Sequence, residues 1–144
     1  MKEGFVDIAE NIVVNNLSMN FYYGEDAYNN FQATKGVFPA AFLSMPIRAN
    51  AIMRQSGLIE IIFSADILFT NKAKLDGTSI EHLVIQDAMF EKGMAFLKDF
   101  IREDSVKSIE PSTKFESFEN AFDNNLSGVV LFLEFLSSIP RAIC

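Results

Sequence analysis

His82, the one histidine of the chain, is flanked by Glu81 and Leu83 and has no Cys or second His at the spacing a metal site needs. As a general base it would require a nucleophile and an orienting acid, and no sequence signature provides either. It reads as a solvated histidine in the first turn of a helix. Four carboxylates nearer the C-terminus, Glu116, Glu119, Asp123 and Glu134, are placed to approach one another across a hairpin, the arrangement that glycoside hydrolysis or Ca2+ binding uses. The loop DNNLSG between them lacks the alternating oxygen ligands and closing Glu of a calcium loop. These acids therefore read as turn and edge charges, with Asp123, Asn124 and Asn125 bonding local backbone groups. The chain offers no catalytic, cofactor-binding or metal-ligating set.

Phosphate and nucleic-acid chemistry are also poorly served. The seven glycines form neither GxGxxG nor a glycine-rich loop closed by Lys and Ser or Thr. Phe21, Tyr22, Tyr23 and Tyr28 have faces on which bases can stack, but no Lys or Arg is interleaved with them, which favours a core or a protein interface. Nineteen acidic against 12 basic residues leave a net charge of -7, and the longest basic feature is Lys72 with Lys74. Gripping a phosphate backbone takes clustered cations, whereas an acidic surface suits a channel through which DNA slides without sticking. Cys144 is the only cysteine, so packing alone must hold the fold.

The elements that carry these residues fit one domain, 1–144, with an extended arm at about 46–57. Hydrophobic residues make up 49% and charged residues 22%, with 15 Phe and no Trp, the composition of a globular chain. No run reaches the roughly 18 apolar residues of a membrane span. Glu3, Asp7 and Glu10 stand where a signal peptide would be basic and then apolar, so secretion is not indicated.

Phe5, Ile8, Ala9, Ile12, Val13 and Leu17 recur at helical spacing and predict an amphipathic helix, weakened at its end by Asn15 and Asn16. A short aromatic strand ends at Gly24, Glu25 to Gln32 form a turn, and Gly36 precedes the strand VFPAAFLSM, which Pro46 stops. Pro39 puts the start of that strand at an edge or outside a ladder. Arg48 to Gln55 reads as an exposed hairpin arm, with Gly57 in the turn out of it. Leu58 to Thr70 is the clearest strand, its odd-numbered residues from Ile59 to Phe69 forming one apolar face, with a bend expected near Ser64 to Asp66. After the loop NKAKLDG, Thr78 and Glu81 match a capping box. The helix that follows runs to about Arg102. It is expected to bury Ile80, Leu83, Val84, Met89 or Phe90, Met94, Leu97 and Ile101, with Gly93 permitting close approach. The segment IREDSVKSIEPSTK is a polar linker holding a short strand.

The chain closes on a Phe-punctuated strand from Phe115 to Phe122, the break DNNLSG, and the run GVVLFLEFL. That last strand is apolar on both faces and wants cover on two sides. The order of elements gives an α+β fold, a mainly antiparallel sheet with one long helix packed across it and an N-terminal helix. With the helix on one face, Val130, Phe132 and Leu136 face away and need another cover.

The segment FYYGEDAYNNFQATKGVFPAAFLSMPI, followed by polar strands, one long helix and a final strand, resembles the front of neck proteins in tailed bacteriophages, the tail-terminator or tail-completion group of the head-tail connector. Phe122, Asp123, Asn124, Gly128 and Val129 fill the turn that leads into that group's last strand. The resemblance implies a structural virion protein without active site or cofactor, assembled in the host bacterial cytoplasm and located in the neck or tail. Its partners would be copies of itself, in a ring of roughly six or twelve, and neighbouring portal, connector or tail proteins. DNA would pass through without specific binding, and no membrane would be involved. Phe21, Tyr22, Tyr23, Arg48, Val130, Phe132 and Leu136 are the residues expected at subunit interfaces. The competing expectation is a small-ligand-binding α+β domain or enzyme with a Phe- and Met-rich pocket between sheet and helix. A third is a non-viral adaptor.

Overall fold

The computed structural model describes residues 2–24, 38–44, 46–72, 79–121 and 126–137. Along the chain these form α1 (Lys2–Asn11), a π-helical turn (Ile12–Asn16), β1 (Asn20–Tyr23), β2 (Ala40–Leu43), β3 (Arg48–Met53), β4 (Ile59–Lys72), α2 (Ser79–Phe100), β5 (Val106–Ile109), β6 (Lys114–Ala121) and β7 (Leu126–Ser137). The fold is α+β, with a seven-stranded, mostly antiparallel sheet.

The spine is β4 against β7, antiparallel from Ile62↔Leu136 to Lys72↔Leu126 with no break in register. Period-two alternation sends Phe63, Ala65, Ile67 and Phe69 of β4 to the same face as Phe135, Leu133, Leu131 and Val129 of β7. All eight are buried in the main core. The two long strands each serve two short ones on their outer side. β2 and β3 lie end to end along β4, with Pro46 in the gap between them, where no ladder N–H is called for. β6 and β5 lie end to end along β7. β1 pairs parallel with β2 at the outer edge. A bend or bulge is expected near Ser64 to Asp66, and the register of β4 against β7 runs through those residues without a bulge. Irregular register falls instead between Val106 and Ser108 and between Phe118 and Ala121, on the short outer strands.

Both helices cover one face. Phe5, Ala9, Ile12, Val13 and Leu17 enter the same core as Phe96 and Phe100 of α2. The π turn closes with Leu17 N–H donating to the Ile12 carbonyl at 3.0 Å, a widening that keeps Ile12, Val13 and Leu17 on the inner side. Lys92 of α2 donates to the Leu17 carbonyl at 3.0 Å, placing a cation on the open end of that turn. Asn16 donates to the Asp99 carboxylate at 3.2 Å and makes a second tie between the helices.

The buried side of α2 matches the expected one only in part: Met89 is buried and Leu97 packs half-buried against the core, as expected. His82, Met89, Phe96 and Phe100 point into the sheet, whereas Ile80, Leu83, Val84, Phe90, Met94 and Ile101 are exposed. The helix carries two apolar stripes roughly a third of a turn apart, so periodicity alone does not choose between them. Ring volume and close approach do. Phe96 and Phe100 stack at 5.5 Å and meet Phe69, Phe5 and Phe135, and an added Cβ at Gly93 would lie 2.5 Å from the Phe115 ring. The helix ends at Phe100 rather than Arg102. In the turn that follows, Arg102 and Glu103 N–H groups bond the Asp99 and Phe100 carbonyls, a tightening to i→i+3 spacing.

The capping Thr78, the turn residues Glu25 to Gln32, Gly36, Phe122 to Asn125 and Cys144 lie outside the described residues.

Candidate functional site

The sheet face turned away from the helices is built in cross-strand rows. Tyr22, Phe42, Leu68, Val130 and Glu116 occupy one row; Asp66, Phe132 and Lys114 the next; Arg48, Ser64 and Glu134 the next; and Asn50, Ile62 and Leu136 the last. Tyr22, Arg48, Val130, Phe132 and Leu136 thus share a single face, as the alternation of β7 requires. Phe21 and Tyr23 do not join them, because alternation in β1 turns both to the helix side. Phe21 packs against the main core, and Tyr23 is exposed at the sheet edge.

This face is apolar at one end and mixed at the other. Tyr22 stacks on Phe42 at 5.0 Å, in a cluster with Ala40, Leu126, Phe38, Leu68 and Phe118. Val130 and Phe132 are half-buried, and Leu136 is buried. The Lys114 ammonium lies 5.4 Å from the Phe132 ring centre, a cation–π contact, and 3.3 Å from the Glu116 carboxylate. Asp66 stands on the other side of Phe132. Burial raises its carboxyl above the ordinary range, and the opposing pull of Arg48 is smaller.

The β3–β4 hairpin runs past the end of β7 as an arm. Gly57, at φ +86°, makes its turn, with Gly57 N–H donating to the Arg54 carbonyl at 2.9 Å. Met53, Leu58 and Ile59 are exposed along it. Arg54 Nε donates to Glu60 at 2.8 Å, and Lys107 Nζ lies 3.8 Å from the same carboxylate. That hydrogen bond from Arg54 is the main reason the Glu60 carboxyl sits below its ordinary value.

A second surface is one that periodicity had assigned to the core. The outer side of α2 presents Ile80, Leu83, Val84, Phe90, Met94 and Ile101, with Ile80 72% exposed. Positions 80, 83, 87, 90, 94 and 101 follow at helical spacing, with Asp87 the polar member of the row. What the sequence does not reveal is that His82, Gly93, Phe96 and Phe100 form the competing inner stripe.

His82 is one of those inner residues, 4% exposed rather than solvated, and its Nδ1 is hydrogen-bonded to the buried Ser127 Oγ. Thr70 Oγ1 donates to the Ser127 carbonyl at 3.1 Å. Although Ser and His meet, both are shut away from solvent, so the pair acts as a buried polar tie between α2 and β7. Replacing His82 by Ala leaves the Ser127 hydroxyl without this partner. It should destabilise the fold by about 1–3 kcal/mol, read as a lowered urea midpoint at unchanged slope.

Glu116 and Glu134, the two described members of the acidic set, are held by separate partners. Glu116 pairs with Lys114, and Glu134 accepts from Ser112 Oγ at 2.6 Å while its backbone is held by Thr113. The Glu119 side chain and Asp123 lie outside the described residues. Among the described residues no three His, Cys, Asp or Glu side chains gather as a metal site, and no helix is long and apolar enough to cross a membrane. The space between sheet and α2, where a ligand pocket would sit, is filled by Phe5, Phe69, Phe96, Phe100 and Phe135. A depression of about 250 Å3 follows α1, lined by Asp7, Glu10, Asn11, Val14 and Asn15. It has a single apolar side chain and no convergent polar centre. No protein-family model matches the chain, and no curated protein matches it in sequence.

Proposed function

We propose that the chain is a structural subunit of a tailed-phage neck or tail, assembling into a symmetric ring between portal-proximal and tail components around the DNA channel. The observation that carries this reading is the face shared by Tyr22, Arg48, Val130, Phe132 and Leu136, an apolar strip edged by charges on the side of the sheet that the helices leave alone. A head-to-tail ring buries two different patches of each subunit. Within this strip Tyr22, Val130 and Phe132 are half-buried and Arg48 is exposed, and together they supply one patch; the β3–β4 arm supplies a second, with Met53, Leu58 and Ile59 at its tip. The net charge of -7 suits a wall past which DNA slides. The order of elements that resembles the tail-terminator group supports the same reading.

Native mass spectrometry and electron microscopy of the chain, alone and with neighbouring virion proteins, test it. Rings are the expected result, and a monomer that never enters a particle overturns it. Phe132 offers the residue-level test. An Asp at 132 would put a carboxylate directly opposite Asp66, and like charges in register weaken the pair by themselves. Phe132→Thr avoids that conflict while keeping strand propensity. It should abolish ring formation and leave the monomer within about 1 kcal/mol of its original stability. Loss of folding at the same dose of denaturant would make Phe132 a core residue instead.

A further inference from the structure

The outer face of α2 holds more than exposed apolar side chains. Asp87, Glu91, Lys98 and Arg102 are exposed along the same side of the helix and its closing turn, and none has an ion-pair partner among the described residues. Their signs run acidic, acidic, basic, basic. Their positions are also symmetric: Asp87 lies as far before the point between Met94 and Ala95 as Arg102 lies after it, and the same holds for Glu91 and Lys98. At 100° per residue Asp87, Glu91 and Lys98 occupy one flank of this face, with Arg102 in the closing turn just beyond them, while Leu83, Phe90, Met94 and Ile101 occupy the other.

We infer that this face binds the same face of a second copy of the chain, the two α2 helices running antiparallel about a two-fold axis at Met94 and Ala95. A two-fold of that kind sets each flank of one helix against the same flank of its mate. Asp87 then meets Arg102 of the second copy, and Glu91 meets Lys98, each pair occurring twice. A parallel two-fold would instead set the charged flank of each helix against the apolar flank of its mate. On the apolar flank the order becomes the second copy's Ile101, then Phe90 and Met94, then the second copy's Met94 and Phe90, and last Ile101. Side chains now 42–52% exposed would be covered. The contact is isologous and closes at two copies, so it is separate from the head-to-tail contacts of a ring and does not depend on that reading.

Sedimentation equilibrium of the full chain across the micromolar range tests the contact, in a Cys144→Ser background for the cross-linking arm. The wild-type chain should dimerise. Glu91→Lys should weaken the dimer at least about tenfold, because it creates two like-charge contacts by symmetry, and Glu91→Lys with Lys98→Glu should bring it back to within about threefold. Met94→Cys, at the axis, should form an intermolecular disulfide with itself under mild oxidation. Thermal melts by circular dichroism confirm that each variant folds, as surface positions of this kind allow. A chain monomeric throughout, a dimer indifferent to Glu91→Lys, a swap without rescue, or no cross-link at Met94→Cys each overturns the proposal. Dimerisation that survives Phe132→Thr while rings are lost separates this contact from the ring interface.

Discussion

Gly128→Ala should leave no cooperatively folded protein, a larger effect than an added methyl at Gly4, Gly57 or Gly93. Gly128 sits in β7 directly opposite Thr70, within the uninterrupted pairing of the two spine strands. A Cβ there would lie 2.0 Å from the Phe69 carbonyl oxygen and 2.9 Å from the Thr70 Cα. Both are backbone atoms of β4, so no rotamer change relieves the overlap. The only relief is to separate β4 from β7, and that breaks the ladder on which both halves of the sheet hang. Overpacking against movable side chains costs about 1–3 kcal/mol. An overlap with fixed backbone belongs above that range, close to the 5–15 kcal/mol or so that holds a domain of this size together. Soluble yield, near-UV circular dichroism and the sharpness of a urea transition would report it. A contrast is available at Gly93, where the added methyl meets the end of the Phe115 ring, a side chain that can move. Gly93→Ala should therefore destabilise the fold but not destroy it. Equal tolerance at the two positions would show that β4 and β7 do not approach as closely as their register requires.

How much of this could be read beforehand follows the kind of signal each element carries. Alternation in β4 and β7 is a period-two pattern with a fully apolar odd face, and it fixed the orientation of Phe63 to Phe69 and placed Val130, Phe132 and Leu136 on the opposite side. Pro46 and Gly57 marked where a short strand stops and an arm turns, because each restricts the backbone in a way no neighbour can override. The orientation of α2 was not legible. Its outer and inner stripes are both apolar, and the choice between them depends on Phe96 and Phe100 finding Phe5, Phe69 and Phe135, residues distant in sequence. The same choice buries His82. A lone histidine beside Glu81 looks solvated until the rotation of the helix is known, and that rotation is set by packing rather than by local preference. The interface candidates divide for a similarly simple reason. Phe21, Tyr22 and Tyr23 are consecutive, so a strand must send them to alternating faces, and only Tyr22 can join Val130 and Phe132.

Phe135→Ala should cost about 3–5 kcal/mol, because it removes the ring on which the two helices and the sheet converge. Phe135 is fully buried. Its ring lies 5.2 Å from Phe5 of α1, 4.9 Å edge-on from Phe100 of α2, and 5.5 Å in a stack on Phe63 of β4. Each neighbour belongs to a different element, so none can close the cavity without moving its own backbone. The cost therefore falls toward the upper end of the range rather than being recovered by collapse. At roughly 2–4 °C per kcal/mol for a domain of about this length, Tm should fall by about 6–20 °C. Phe90 gives the matching control on the other side of the same architecture. It touches Phe115 edge-on at 5.0 Å but is 42% exposed, so Phe90→Ala forfeits one ring contact, about 0.5–1.5 kcal/mol, and little cavity. Measured at a concentration where the chain is monomeric, the two substitutions should differ by at least about 2 kcal/mol. Comparable losses would mean that the outer side of α2 is covered within a single chain. A small loss at Phe90 that grows with protein concentration would instead locate its burial in the association of two chains, since only then does the stability of the folded state depend on how much of the second copy is present.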